Sequence, residues 1–107
     1  MQKQTKIEVI PKDGCKVIVV HGDLEHGYLS EFSGIIRREI KRNEDLDLIL
    51  DLDACNFLDS GNLGVISQAN RDLTSKGHKL KLINVRKSVA ATLMVTSLNR
   101  ILDIQTI

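Results

Sequence analysis

The spacing of hydrophobic and polar positions predicts an alternation of strands and helices along the chain. Two strand patterns, at 6–11 and 15–22, flank the turn-forming pair Asp13-Gly14, which is typical of a hairpin. Residues 27–42 instead repeat hydrophobic side chains at helical spacing and carry arginine and lysine on the opposite face. The later pattern predicts a strand within 45–53, a helix from 60 that ends at Gly77, a strand at 78–85, a helix at 87–99 and a strand at 102–106.

The element order β-β-α-β-α-β-α-β predicts an α/β fold with a mixed, mostly parallel sheet and helices packed on it. The strand within 45–53 has leucine at every second position, which is typical of an interior strand with a buried face. At 107 residues, the chain is long enough for one domain with a hydrophobic core and too short for two. We therefore expect residues 1–107 to form a single domain.

Composition and charge argue against several classes of partner. Fifteen basic and fourteen acidic residues, with Tyr28, Phe32 and Phe57 as the aromatic residues, provide neither a basic field nor stacking surfaces for nucleic acid. No hydrophobic run approaches the roughly 20 residues that cross a bilayer, and the N-terminus lacks a signal-peptide pattern, so we expect a cytoplasmic protein without membrane insertion. Cys15 and Cys55 lack metal-ligand spacing, so we expect buried free thiols and neither a metal nor a cofactor.

The segment "NFLDSGNLGVISQ" joins a predicted strand to a predicted helix, the position where sites gather in parallel sheets. Its simplest interpretation is that Asp59 or Ser60 caps the helix, which contributes about 1 kcal/mol. Capping does not account for Gly61, Asn62 and Gly64, because a helix prefers alanine at such positions. These residues indicate that something approaches the backbone here closely.

Two enzymatic interpretations have weak support. The strand end "LILDLDACN" resembles the first motif of haloacid-dehalogenase-type phosphotransferases, in which Asp51 and Asp53 would act near Mg²⁺. However, Asp47 shares their strand face, residues 54–56 replace the expected threonine or glycine, and the chain has no room for a cap domain. A serine-hydrolase turn at Ser60 lacks the glycine two residues earlier and a histidine to serve as its base. We expect a protein without catalytic residues.

The chain as a whole resembles the STAS domain family, the module of anti-sigma-factor antagonists and of sulphate-transporter tails. The resemblance rests on the two opening strands, the "GDLE" loop at 22–25, the third strand with its aspartates, the Asp-Ser-x-x-Leu-Gly helix start and the ending "SVAATLMVTSLNRILDI". These pieces occur in the family's order and at its usual spacing. The resemblance implies a protein-binding module rather than a catalyst.

In partner-switching systems of this family, the unphosphorylated antagonist docks on an anti-sigma factor that is also a GHKL-type serine kinase and so releases a sigma factor. Phosphorylation of a serine or threonine at the start of the second helix ends that binding, and a phosphatase restores it. The resemblance therefore implies a partner face on the "GDLE" loop and the first turns of the second helix. Its candidate residues are Asp23, Leu24, Glu25, Asp59, Ser60, Asn62, Leu63 and Ser67.

The helix start departs from the family motif Asp-Ser-Ser/Thr-Gly-Leu-Gly at the acceptor position. Ungapped alignment on Asp59 and Leu63 places Gly61 where the acceptor hydroxyl is expected and Asn62 where the family has glycine. Two hypotheses follow. Either Ser60 is the phosphoacceptor of a switchable antagonist, or Ser60 is a cap and the domain is an unphosphorylated scaffold, sensor or transporter-associated subunit. The missing hydroxyl favours the second hypothesis for regulation, with antagonist-type protein binding retained as the function.

Overall fold

The computed structural model describes residues 4–42 and 46–107. The elements follow the predicted order, and a short 3-10 helix precedes the first helix (His26–Tyr28) and another follows the third (Leu98–Arg100). The strands are β1 (Lys6–Lys12), β2 (Cys15–His21), β3 (Asp47–Asp51), β4 (Leu80–Val85) and β5 (Asp103–Thr106). The helices are α1 (Leu29–Arg42), α2 (Ser60–Ser75) and α3 (Lys87–Val95).

The strands described form one sheet in the order β1-β2-β3-β4-β5. β1 and β2 pair antiparallel as a hairpin, while β2, β3, β4 and β5 pair parallel. The predicted mixed, mostly parallel sheet is therefore confirmed. β3 lies between β2 and β4, which also confirms the prediction that the leucine-rich strand is an interior one.

The helices pack on one face of this sheet. Ile18, Leu50 and Leu82 are register partners on three neighbouring strands and are almost fully buried. They belong to one core cluster with side chains of all three helices, such as Phe32 of α1 and Leu93 of α3. Because β2 and β3 are parallel neighbours, the loops that follow them meet at the carboxyl ends of the strands. The candidate site lies at this end of the sheet.

The backbone conformations of Ser97 and Gly77 determine where α3 and α2 end. α3 ends at Val95 rather than near 99, because Ser97 adopts a left-handed conformation with φ of 61° that interrupts the helix. The end of α2 is as predicted: Gly77 has φ of +81° and His78 donates to the carbonyl of Leu73 at 2.9 Å. This pattern is the Schellman motif, in which glycine avoids the steric cost of the left-handed conformation.

A buried ion pair joins α1 to β2 on the helix-covered face. The Lys16 ammonium donates to the Glu39 carboxylate at 2.9 Å, and the Glu39 side chain is only 1% exposed. Arg38 and Arg42 of the basic outer face contact its second oxygen at 3.1 and 3.8 Å. Burial opposes ionisation of Glu39, but the hydrogen bonds from Lys16 and Arg38, together with the charges of Lys16 and Arg42, hold the Glu39 pKa below its ordinary value of 4.5. The carboxylate is therefore charged in the folded protein.

Within residues 4–42 and 46–107, no helix combines the length and the hydrophobicity that a membrane crossing requires.

Candidate functional site

Asp59, not Ser60, caps the start of α2. Asp59 has an extended backbone (φ −85°, ψ 173°), and its carboxylate accepts a hydrogen bond from the backbone N–H of Asn62 at 3.0 Å. Ser60 is already the first helical residue, so its side chain is not placed to reach the amides of the first turn. The expectation that Ser60 serves as the cap is therefore wrong, and the alternative of an Asp59 cap is confirmed. Ser60 is exposed, and its hydroxyl has no hydrogen bond to another described residue.

Asn62 ties the start of α2 to the loop that follows β2. Its side chain is fully buried, and its amide nitrogen donates to the carbonyls of Leu24 and Glu25 at 3.2 and 3.1 Å and to the Asp59 carboxylate at 2.8 Å. Its side-chain oxygen has no partner among the described residues. Asn62 thus replaces the family's glycine with a structural cross-link. It was predicted to contact a partner, but its side chain lies in the interior.

The loops after β2 and β3 form a small parallel pairing of their own. Leu24 pairs with Leu58, the Leu24 amide donates to the Phe57 carbonyl at 2.9 Å, and the Asp59 amide donates to the Leu24 carbonyl at 3.1 Å. The Asp23 carboxylate accepts from the Asn56 amide at 2.8 Å. These backbone links hold the two loops in one rigid arrangement against the first turn of α2.

The eight residues predicted for the partner face divide into three groups by exposure. Leu24 and Leu63 are buried like Asn62, so their side chains support the loop and helix from below and are corrected to interior residues. Glu25 and Ser60 are exposed. The half-buried residues are Asp23, Asp59 and Ser67. The surface that remains from the prediction is therefore polar and largely acidic.

Phe57 is a candidate site residue that the sequence pattern did not indicate. Its ring is 49% exposed although its carbonyl is fixed by Leu24 and by the thiol of Cys55 at 3.3 Å. Its position three residues before Ser60, in a loop between a strand and a helix, was the available signal. An exposed aromatic side chain on a fixed backbone loses little entropy on binding and is a frequent anchor in protein interfaces.

The two aspartates of the Asp-x-Asp pattern are used to shape the turn after β3. The Asp51 carboxylate accepts from the Asp53 amide and from the Asn84 side chain, both at 3.1 Å. Arg86 contacts the Asp53 carbonyl and lies 3.4 Å from its carboxylate. No group of three or more potential metal-ligating side chains occurs within the described ranges. The hydrogen bonds give both aspartates a structural role in joining β3 to β4 and to the start of α3.

The cysteines are unpaired, as expected. Cys55 is buried, and burial raises the pKa of its thiol. Cys15 is only half-buried, because it lies at the first position of β2. The prediction of a buried free thiol is therefore confirmed for Cys55 and too strong for Cys15.

The family of the chain follows from the match of the STAS domain to residues 6–106, which is nearly the whole sequence. The chain belongs to the STAS domain family. Its elements and its mixed sheet agree with the resemblance drawn from the sequence.

Solved structures share this fold at low sequence identity. An anti-sigma factor antagonist from Mycobacterium paratuberculosis is 17% identical, with a TM-score of 0.85 over 95% of this chain and 86% of that one. The phosphorylated form of SpoIIAA, a cell fate determinant of Bacillus, is 18% identical, with a TM-score of 0.72 over 94% and 90%. A sulfate transporter family protein from Wolinella succinogenes is 16% identical, with a TM-score of 0.75 over 92% and 80%. At these identities the likeness shows a common fold.

Proposed function

We propose that this STAS domain is an anti-sigma factor antagonist, a binding module without catalytic activity that docks on an anti-sigma factor. The proposed partner is a serine kinase of the GHKL type, and its capture releases a sigma factor for transcription. The observation that carries the proposal is the exposed, unengaged hydroxyl of Ser60 at the start of α2, three residues after the exposed Phe57. The partner needs cytoplasmic ATP, so the role assigns the domain to the cytoplasm.

The docking surface in this proposal has Phe57 at its apolar centre. Ser60 lies on one side of this ring along the chain, and Asp23 and Glu25 come from the loop that pairs with residues 57–59. An exposed aromatic ring surrounded by polar groups is the usual arrangement of an interface anchor with its rim. The acidic rim favours a partner that presents lysine or arginine, since opposite charges steer association.

We infer that Ser60 is the phosphoacceptor of this surface. Because Asp59 provides the cap, modification of Ser60 removes no hydrogen bond that holds α2. A phosphate adds about −1.5 to −2 charges, and the partial positive charge of a helix N-terminus tolerates it within the domain. The same charge at the start of α2 disrupts a partner surface that fits a neutral hydroxyl. Phosphorylation thus switches binding without unfolding the domain, and a phosphatase reverses it.

The test is incubation of the purified protein with each candidate GHKL-type kinase of the source organism and ATP, followed by peptide mass spectrometry. We expect one phosphate at Ser60, and none in the Ser60→Ala variant. Ser67 is the internal control, because it lies on the same helix but is half-buried and accepts a hydrogen bond from Arg71 at 3.2 Å. Saturating kinase that leaves Ser60 unmodified contradicts phosphorylation as the switch.

A second candidate function is an unphosphorylated STAS subunit, either a constitutive scaffold or sensor or a transporter-associated module. Gly61 favours it, because this residue stands where the family carries its acceptor hydroxyl. A side chain here also meets resistance, since a Cβ at position 61 would lie 3.3 Å from the Leu29 side chain. Copurification of a membrane transporter, with no affinity for any anti-sigma factor, favours this second function over the first.

A further inference from the structure

Thr5 lies directly before β1 and bonds to the segment that joins β2 to α1. Its hydroxyl donates to the carbonyl of Asp23 at 2.6 Å, and its backbone N–H donates to the hydroxyl of Tyr28 at 3.0 Å. The residue is buried, with only 8% of its surface exposed. Its two bonds fall on either side of Glu25 in the sequence. Thr5 therefore holds the loop that carries Asp23 and Glu25 of the docking surface.

Gly22 makes room for this contact. A Cβ at position 22 would lie 2.6 Å from the hydroxyl oxygen of Thr5 and 3.1 Å from its Cα. Gly22 also has φ of +139°, which a residue with a side chain rarely adopts. Both the conformation of the loop and the close approach of Thr5 thus depend on glycine at this position. The glycine of the "GDLE" loop therefore serves the contact with Thr5.

The contact with Thr5 extends through Asp23 to the loop that carries Phe57. The Asp23 carbonyl accepts from the Thr5 hydroxyl, while the Asp23 carboxylate accepts from the backbone N–H of Asn56 at 2.8 Å. Phe57 follows Asn56 directly, and its carbonyl accepts from the backbone N–H of Leu24 at 2.9 Å. Asp23 thus connects Thr5 to the residue directly before the exposed ring.

An open cavity of about 390 Å³ borders these hydrogen bonds. Its walls are mainly polar and include Thr5, Asp23, Glu25, Tyr28 and Asn56. Side chains of the described residues do not fill this space, so close packing does not hold the loop on this side. Hydrogen bonds are directional, and the bonds from Thr5 can therefore fix the position of the loop where packing does not.

We propose that Thr5 is a positioning residue of the docking surface, which holds residues 22–25 and the Phe57 loop in the arrangement that the anti-sigma factor binds. The inference rests on the proposed function, since it concerns the same surface. Thr5 is buried, so it acts through Asp23 and not by contact with the partner. A loop that is fixed before binding loses less conformational entropy on association. Loss of the Thr5 hydroxyl should then lower the affinity without changing a contact residue.

Amide hydrogen exchange, measured by NMR, tests the positioning without a partner. Thr5→Val keeps the shape of the side chain but removes the hydroxyl. The backbone N–H groups of Leu24 and Asn56 should then exchange about fivefold faster than in wild type, the effect of one lost hydrogen bond, and Thr5→Ser should restore the slow rates. Ile40→Val is the control, because it destabilises the core near the C-terminal end of α1, away from this loop, and should leave both rates unchanged. Unchanged exchange in Thr5→Val, or equal acceleration in Thr5→Val and Ile40→Val, would overturn the proposal.

Calorimetric titration of the anti-sigma kinase measures the consequence for binding. The affinity should fall by about fivefold in Thr5→Val and stay at the wild-type value in Thr5→Ser and Ile40→Val. If wild type binds and Ser60→Asp does not, but Thr5→Val binds as tightly as wild type, the proposed function stands and the positioning role of Thr5 fails. If no such kinase binds wild type, the function fails, and the exchange rates still decide whether Thr5 fixes the loop.

Discussion

The cross-link at Asn62 yields the sharpest stability prediction. Asn62→Asp keeps the size of the side chain but replaces the amide nitrogen, the donor to Leu24, Glu25 and Asp59, with an oxygen that cannot donate when ionised. One oxygen of the new carboxylate would take the place of the Asn62 side-chain nitrogen, which lies 2.8 Å from the Asp59 carboxylate and donates to it. A favourable charged hydrogen bond thus becomes a contact between like charges in a fully buried position.

The loss of stability in Asn62→Asp can be derived from the hydrogen bonds that are lost and those that remain. The Leu24 carbonyl keeps its bond from the Asp59 amide at 3.1 Å, and the Glu25 carbonyl keeps its bond from the Tyr28 amide at 3.0 Å. The lost bonds then cost about 1 kcal/mol each, with more for the bond to the Asp59 carboxylate. Burial of an unpaired charge beside another carboxylate adds several kcal/mol. We expect the free energy of unfolding to fall by at least about 3 kcal/mol near neutral pH.

Urea denaturation followed by circular dichroism measures this change as a lower midpoint at unchanged slope. Asn99→Asp is the matched control, because it makes the same chemical change at an exposed residue and should alter stability by less than about 0.5 kcal/mol. The loss in Asn62→Asp should also shrink in acid, where protonation of the newly introduced carboxyl removes the repulsion. Equal stability of the two variants would refute the role assigned to Asn62.

Three further predictions concern other parts of the molecule. Gly64→Ala should raise the free energy of unfolding by about 0.5 to 1 kcal/mol, measured by urea denaturation, because its Cβ enters open space on a helix; a decrease would show that glycine serves the fold. Glu39→Gln should destabilise the domain by about 3 kcal/mol near neutral pH. Because the pKa of Glu39 is lowered in the folded state, the stability that its charge contributes is present above pH 4.5 and is lost as the pH falls through the folded-state pKa. The free energies of unfolding of wild type and Glu39→Gln, measured in urea, should therefore converge in acid; a pH-independent difference would contradict this assignment. Phe57→Ala should leave the urea midpoint nearly unchanged, because the ring is half exposed, but should weaken calorimetric binding to the anti-sigma factor by about tenfold; unchanged affinity would exclude Phe57 as the anchor.

Much of the fold could be predicted because period and turn chemistry are local signals. Leu48 and Leu50 of β3 and Leu52 directly after it are buried, since a strand turns every second side chain to the same face, whereas Leu46 lies before β3 and is half-buried. The end of α2 at Gly77 was predictable because it depends on the left-handed backbone conformation of that one residue, which glycine adopts readily. The position of Ser97 in the left-handed region gave no such signal, since serine is not a usual residue there, and the predicted third helix was too long.

The contacts at the start of α2 could not be predicted from local sequence patterns. Asp59 and Ser60 are both good caps, and only the backbone shows which residue precedes the first helical turn. Asn62 read as a polar surface residue because its partners, the carbonyls of Leu24 and Glu25, are distant in sequence. The exposure of Phe57 likewise depends on how two loops pair, which no local pattern reports.

In the proposed function, this domain binds an anti-sigma factor through the surface around Ser60. Isothermal titration of the purified anti-sigma kinase with wild type and with Ser60→Asp tests it most directly, with Ser30→Asp on the exposed first turn of α1 as a charge-matched control. We expect saturable binding for wild type and Ser30→Asp, and affinity lower by about tenfold or more for Ser60→Asp. No binding of wild type to any such kinase, or equal affinity of wild type and Ser60→Asp, would contradict it.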